Sequence, residues 1–472
     1  MINKKYLIII LLLSAVSAFA QQQEYITVIG DSLQGKMIDG ESVREVFGHV
    51  VLTQGNVRIT CNQAVQYISR NDAELIGNVI ATQDTLTITT ERGFYYGNER
   101  KAESVSGVKL DDKKVILTAD TGSYFFNDAK AIFRSNVILK DTSSTVNSKQ
   151  LIYFKDEGKA IATGDVKIFE GKNIIQADSL VHFRETRETI AYYNVKISST
   201  DNNSTIYGEH LEDYPQKHYT LIDVKPLFIQ IDSSYSERAQ SDSLAAGADT
   251  STLQIDTLVI QAKKMEAYRD TINIFKATDS VKIVRGKFAS INDFTEYYRK
   301  EGKIVTEKIS SEAPQPIIWY DNSQLTGDSV IVLLYENKIN ELDVNRNAFI
   351  LSQNAKYKTR YDQISGSRLK IFFSNGAIQH TEVFGGVHSI YFLYDDNTPN
   401  GLTKSSSESA KIYFDDNKVS QVKLYGTPNS EYYPERLVVG NELAFTLPGY
   451  IIYNNRPAKE ELLKQISDNR NK

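Results

Sequence analysis

Residues 160–183 read AIATGDVKIFEGKNIIQADSLVHF. Ala160, Ala162, Gly164, Val166 and Ile168 are small or apolar, and polar Thr163, Asp165 and Lys167 fall between them. A period of two belongs to a half-buried strand rather than a helix. Glu170-Gly171-Lys172-Asn173 is a polar turn that supplies a glycine where positive φ is needed. Beyond it Ile175, Ala177, Val181 and Phe183 share one parity, broken only at Ser179. This predicts a second strand returning antiparallel to the first, and Glu185-Thr186-Arg187-Glu188 closes the unit.

The same unit recurs every 29 residues. Val50, Val79, Val108, Val137, Val166 and Val195 form one column, and Tyr67, Tyr96, Phe125, Phe154 and Phe183 another. Ala73, Ala102, Ala131 and Ala160 make a third in phase with them. Ile88, Leu117 and Val146 share the column of Ile175. Gly48, Gly77, Ser106, Ser135 and Gly164 stand two residues before the valine, where a small residue lets a strand bend or pack closely. In such an array each unit buries its apolar face against its neighbours, so function is expected in an elongated groove or surface rather than one pocket.

The first twenty residues stand apart. Lys4 and Lys5 precede the apolar run Tyr6–Leu13, and Ala18-Phe19-Ala20 offers a cleavage site, so a secretory signal peptide cut after Ala20 is expected. No cysteine follows that site to carry a lipid. No later segment is long and apolar enough to span a membrane as a helix. Loss of Lys4 and Lys5 takes the formal charge from −5 to −7, which disfavours nucleic acid as a partner. The lone Cys61 shares a column with Ala119 and Ala177 and reads as a small buried residue.

Residues 24–232 are expected to form the first array. Residues 233–252 (SSYSERAQSDSLAAGADTST) are polar and aperiodic, and read as a linker or excursion. A second, less regular β array is expected over 253–455, with related hairpins at Ser329–Val344, Arg368–Val383 and Ala410–Leu424. Its last strand is expected around Leu443–Tyr453. Within 456–472, Pro457–Ile466 reads as a short helix, a terminal cap, followed by a polar tail.

Gly77-Asn78-Val79, Gly164-Asp165-Val166, Ala119-Asp120 and Ala177-Asp178-Ser179-Leu180 carry a pattern that resembles the OstA-like (organic solvent tolerance, N-terminal) domain of the LptA-type lipopolysaccharide-transport family. The likeness covers about 24–230. It continues more loosely to about 450, where Gly426, Pro428, Ser430, Tyr432, Tyr433 and Pro434 resemble longer members. The resemblance implies an open, V-shaped β-jellyroll whose interior shelters lipid A acyl chains. It also implies end-to-end strand pairing with inner- and outer-membrane transport components, self-association, and a periplasmic or outer-membrane-associated location. The regular amphipathic strands of an outer-membrane barrel have no counterpart here.

No nucleophile elbow, P-loop or H-E-x-x-H motif is present, and the expectation is a non-enzymatic protein without catalytic residues, metal or cofactor. Glu209-His210-Leu211-Glu212-Asp213 with His218 nearby is the densest polar cluster; carboxylates and imidazoles can ligate a metal, but a polar turn where the first array loses its register is the favoured reading. Asp201, Asn203, Thr205 and Glu212 echo a calcium loop, but Ile206 stands where glycine is required. Glu91, Asp120 and Asp178 share a column with Asn62 and Lys149, which favours a solvated turn over a catalytic acid row.

The leading reading is a lipid carrier or bridge. Its groove is expected to be lined by Val79, Ala81, Ile88, Tyr96, Val108, Leu110, Leu117, Phe125, Val137, Leu139, Phe154, Val166, Ile168, Ile175 and Phe183. The bland alternative for these columns is a closed structural core. The alternative function is an exported β-solenoid that acts on polysaccharide or serves as a structural or adhesive protein.

Overall fold

The computed structural model describes residues 24–201, 203–236, 252–336, 338–374, 376–396, 398–415 and 418–470. The expected leader and most of the 233–252 excursion lie outside the described residues. The described strand pairings are all antiparallel, as the alternating patterns predict. Two compact units emerge: one runs to Gly171 and takes in Val181–Glu185, and the other holds Lys172–Leu180 and everything from Thr186 onward. This division does not fall at 233–252. Strands Leu227–Ser236 and Thr252–Gln261 on either side of the excursion pair from Leu227↔Gln261 to Ser236↔Thr252, so they belong to one hairpin of the second unit.

In the first unit the long strands, such as Glu41–Gln54, Asp72–Gln83 and Lys130–Lys140, each pair with the next strand and bend midway. At the bend two consecutive residues adopt the left-handed conformation: Gly48-His49, Gly77-Asn78, Ser135-Asn136 and Gly164-Asp165. The strand ladder shifts at the same places, between Phe47 and Val50, Ile76 and Val79, and Arg134 and Val137. These are the small-residue positions of the repeat. Gly77 has φ +77°, and a Cβ there would lie 2.7 Å from the Asn62 amide. Gly164 has φ +80°, and its Cβ would lie 2.9 Å from Lys149 Cβ. Both sites are therefore closed to a side chain on two grounds. The 29-residue repeat around Val108 departs from the rule: its strand is broken into Lys101–Ser104 and Val108–Asp111, with Gly107 at φ +55°.

The bend carries the chain from one layer of the unit to the other. Val79 and Ala81 point inward after the bend, as Ala73 and Leu75 do before it. The column Glu91, Asp120, Lys149 meets the bend from the adjacent strand. Asn136 Nδ2 donates to Asp120 Oδ2 at 2.7 Å, and Lys149 pairs with Asp165 at 2.5 Å. These residues are solvated corner partners, as the mixed column predicts.

The second unit is built alike, with left-handed pairs at Tyr193-Asn194, Val224-Lys225, Asp279-Ser280, Arg346-Asn347 and Gly385-Gly386. The three expected hairpins are present, closing at Tyr335↔Lys338, Ser374↔Ala377 and Asp415↔Lys418. The last strand, however, is Asn429–Tyr433 rather than one around Leu443–Tyr453. Pro434, Pro448 and Pro457 with Gly440 and Gly449 keep the chain irregular beyond it. The expected C-terminal helix is present over Lys459–Arg470.

This irregular segment is a strap across the second unit's outer face. Ile317, Ile318 and Trp319 are all buried, so both faces of their strand are covered. Ile318 packs in the interior; Ile317 and Trp319 pack against Leu462 with Tyr453 and Ile466. Two glutamines hold the strap as a neighbouring strand would. Gln324 donates to Ile451 O at 2.8 Å and accepts from Tyr453 N at 2.9 Å. Gln363 donates to Phe445 O at 3.0 Å and accepts from Leu447 N at 2.8 Å. Arg360, almost wholly buried, pairs with Glu435 and Glu442 at the strap's start.

Candidate lipid-binding interior

Two layers of the first unit enclose an apolar interior. From one layer come Val79, Ala81, Ile88, Val108, Leu110, Leu117, Val137, Leu139, Val166 and Ile168, all of them buried. Ile175, assigned to the second unit, is buried there. Eleven of the fifteen expected lining residues thus face inward, in rows that the 29-residue spacing aligns.

Tyr96, Phe125, Phe154 and Phe183 do not. They sit half-buried on the opposite face of their strands. Lysines alternate with the rings: Lys101 lies 4.8 Å from the Tyr96 centroid and 5.8 Å from Phe125, Lys130 5.9 Å from Phe125 and 5.8 Å from Phe154, and Lys159 5.5 Å from Phe154 and 5.9 Å from Phe183. This is an outer ladder of cation–π contacts. The cause is the bend. On the returning strand the inward set runs Leu86, Ile88, then Gly93, Tyr95, so parity changes across Glu91-Arg92. Strand Asn173–Phe183 changes likewise, from Ile175 and Ala177 to Leu180 and His182.

The inward column that parity alone hides is Tyr95, Tyr124, Tyr153 and His182, also spaced by 29 residues. Three of its four members, Tyr95, Tyr153 and His182, face polar groups in the turns of the facing layer. Tyr95 Oη donates to Gln54 Oε1 at 2.6 Å, and Gln54 Nε2 donates to Gly97 O at 2.9 Å. Tyr153 Oη donates to Asp112 Oδ2 at 2.8 Å. Asp112 Oδ1 meanwhile accepts the amides of Lys114 and Val115, fixing its own turn. His182 lies within electrostatic reach of Asp141, which caps the next turn through Ser143 N and Ser144 N. Each pair spans 41 residues. A repeated aromatic dipeptide (Tyr95-Tyr96, Tyr124-Phe125, Tyr153-Phe154) was the available signal for two columns rather than one.

Burial sets the electrostatics here. It pushes the Tyr95 hydroxyl up to about 12, and raises Tyr124 and Tyr153 as well. It lowers His182, with Asp141 acting in the opposite sense, so the imidazole is held neutral. A cavity lined by Ile59, Leu75, Val79, Ile88 and Tyr124 measures about 20 Å³. That is room for roughly one water, whereas a cavity that takes up benzene is about 150 Å³.

The other polar clusters form ordinary strand-face contacts. His210 Nδ1 shares a hydrogen bond with Asp223 at 2.8 Å, and the ring stacks on Tyr192. Cys61 is buried, its thiol pushed up by burial and donating to Gln63 O at 3.2 Å.

Comparison with known proteins places one segment of the chain. The family described as OstA-like protein matches residues 23–125. No curated protein matches the chain. Among solved structures, the crystal structure of LptH from Pseudomonas aeruginosa, the LptA-homologous periplasmic component of its lipopolysaccharide transport device, is similar at 17% identity. The match covers 27% of this chain and 75% of that one, with a TM-score of 0.14, so the fold description rests on the strands themselves. The stretch similar to that family falls in the opening part of the first unit.

Proposed function

We propose that this protein is a non-enzymatic periplasmic carrier that shelters the acyl chains of lipopolysaccharide on their way to the outer membrane. The observation that carries the reading is the set of in-phase apolar rows inside a unit that opens with an OstA-like segment. Burying hydrocarbon is worth about 0.8 kcal/mol per methylene, so a multiply acylated lipid does not cross water unaided. Aligned rows within the first unit let it pass from repeat to repeat without leaving apolar surroundings.

End-to-end pairing with inner- and outer-membrane components, or with a second copy, fits the N-terminal edge. Among the described residues, strand Ser32–Ile38 pairs only with the strand Glu41–Gln54, and it exposes Leu33 and Met37. Such an edge is open to strand addition. Leu33→Lys with Met37→Lys should weaken assembly while the interior stays folded.

Photo-crosslinking in cells tests the carrier reading. Probes at inward Leu110 and Ile168 should capture lipopolysaccharide. Probes at outward Lys109, Lys167 and Phe125 should not. Equal capture on both faces, or none inside a folded protein, returns the rows to a purely structural core.

A further inference from the structure

The strap across the second unit is apolar on both of its sides. Val438 and Leu447 point in and pack with Phe349, Leu351, Phe392 and Leu402. Leu437, Val439 and Leu443 are 52%, 62% and 74% exposed, and Ile451 and Ile452 are exposed further along. Charge is distributed the opposite way. Residues 434–455 carry three charged side chains, Glu435, Arg436 and Glu442. Both glutamates turn inward onto buried Arg360, and Glu435 also accepts from Gly401 N at 3.0 Å. That leaves Arg436 exposed, with no ion pair among the described residues. The turn that leads into Arg360 adds exposed Lys356 and Lys358, likewise without ion pairs among the described residues. Against these three cations stand two acids, Asp395 and Asp396, at the hairpin tip beside Tyr394, on which Tyr357 stacks at 5.5 Å.

We propose that the outer side of this strap is a membrane contact: Leu437, Val439 and Leu443 seat in the headgroup region of a phospholipid bilayer, with Arg436, Lys356 and Lys358 against its phosphates. Exposed aliphatic side chains on a segment that already packs on its own sheet mark a contact outside the chain. Their type favours lipid over protein, since protein interfaces anchor on Trp, Tyr and Arg rather than on Leu and Val. The backbone is ready for a dry environment as well. Leu437 N donates to Pro434 O, Val439 N to Glu435 O, Asn441 N to Val438 O, Ala444 N to Asn441 O and Phe445 N to Glu442 O, all at 2.9–3.1 Å. Entry into the headgroup region therefore strands none of these donors. With both glutamates held inside, no carboxylate of the strap's 434–455 stretch faces the lipid phosphates, and a guanidinium does. Attachment of this kind is reversible and comes mainly from the buried apolar area, with the cations adding a smaller part. The inference concerns the strap alone and does not rest on the carrier reading of the first unit's interior.

The test is flotation of the full mature chain with vesicles of phosphatidylethanolamine and phosphatidylglycerol that contain no lipopolysaccharide. The chain should float with the vesicles, and most of the binding should survive high salt, which screens only the headgroup attraction. Leu437→Gln with Val439→Gln and Leu443→Gln should lower the partition coefficient at least tenfold, and Arg436→Glu should lower it several-fold. Leu33→Gln with Met37→Gln, at an exposed apolar pair of the first unit, should leave it unchanged. A second measurement serves should the triple variant fail to fold. In a Cys61→Ala background, which puts the alanine of other repeats in that column, a nitrobenzoxadiazole label at Leu443→Cys should shift to the blue when vesicles are added. The same label at Lys109→Cys should not. No flotation, undiminished flotation of the folded triple variant, or no shift at position 443 overturns the proposal. A blue shift at 443 that grows with protein concentration in the absence of vesicles also overturns it, and assigns the strap's outer side to a second copy of the chain.

Discussion

Removing the side chain of Gln363 or Gln324 should free the strap at one place and not the other. Each glutamine makes two hydrogen bonds to strap backbone: Gln363 to Phe445 O and Leu447 N, Gln324 to Ile451 O and Tyr453 N. A net value of about 1 kcal/mol per hydrogen bond gives about 2 kcal/mol for each side chain. If strap opening governs exchange, that is roughly a thirtyfold faster amide exchange. Hydrogen-exchange mass spectrometry resolves the two anchors. Gln363→Ala should accelerate the peptide containing Leu447 and spare the one containing Tyr453; Gln324→Ala should do the reverse. The unfolding midpoint of the sheets should barely move, since no interior contact is lost. Equal acceleration of both peptides by either variant would mean that the strap opens as one piece. No acceleration would mean that Leu462 and its neighbours hold it alone. Either result refutes the view of the glutamines as local strand substitutes.

Other outcomes follow from burial and backbone conformation. Leu110→Ala, at a fully buried position, should cost about 2–5 kcal/mol in chemical denaturation, while the neighbouring exposed Lys109→Ala should stay within about 0.5 kcal/mol of wild type. Gly164→Ala should cost about 1–3 kcal/mol, because alanine must adopt a left-handed φ against Lys149. His182 is lowered from 6.5 in the folded chain, so below about pH 6.5 the unfolded state takes up a proton that the folded state refuses. Stability should therefore fall as pH drops from 6.5 toward the folded value, and His182→Gln should flatten that part of the pH–stability curve. N-terminal sequencing of the exported protein should begin at Gln21; a chain retaining Met1 would contradict the expected leader.

Much of the architecture was legible because the repeat writes it six times over. Val50 through Val195 fixed the strand unit, and Gly77 and Gly164 marked the bend before any coordinates did. What parity could not give was the fate of residues beyond the bend. Crossing Glu91-Arg92 shifts the inward set by an odd number of residues, so Tyr96 and Phe125 turned outward and Tyr95 and Tyr124 inward. Continuous apolar runs such as Ile317-Ile318-Trp319 were also ambiguous, since they require a cover on both faces. That cover, Tyr453 with Leu462, lies more than 130 residues away in a segment without strand periodicity. The excursion at 233–252 broke the pattern in sequence while its flanking strands stayed paired in space.

The corners of the first unit also constrain how the chain can go wrong. Because one strand contributes to both layers through two left-handed residues, neither layer can slip by one or two positions alone. Either slip would place a β-branched residue in a left-handed pair, and a slip of one would also turn the apolar set outward in both layers at once. The misalignment that remains inexpensive is a jump of a whole repeat, in which every valine finds another valine's place. The repeat around Val108 removes that degeneracy. Its broken strand, with Gly107 alone at the corner, fits only its own position, so it acts as a fixed index mark along an otherwise translatable pattern.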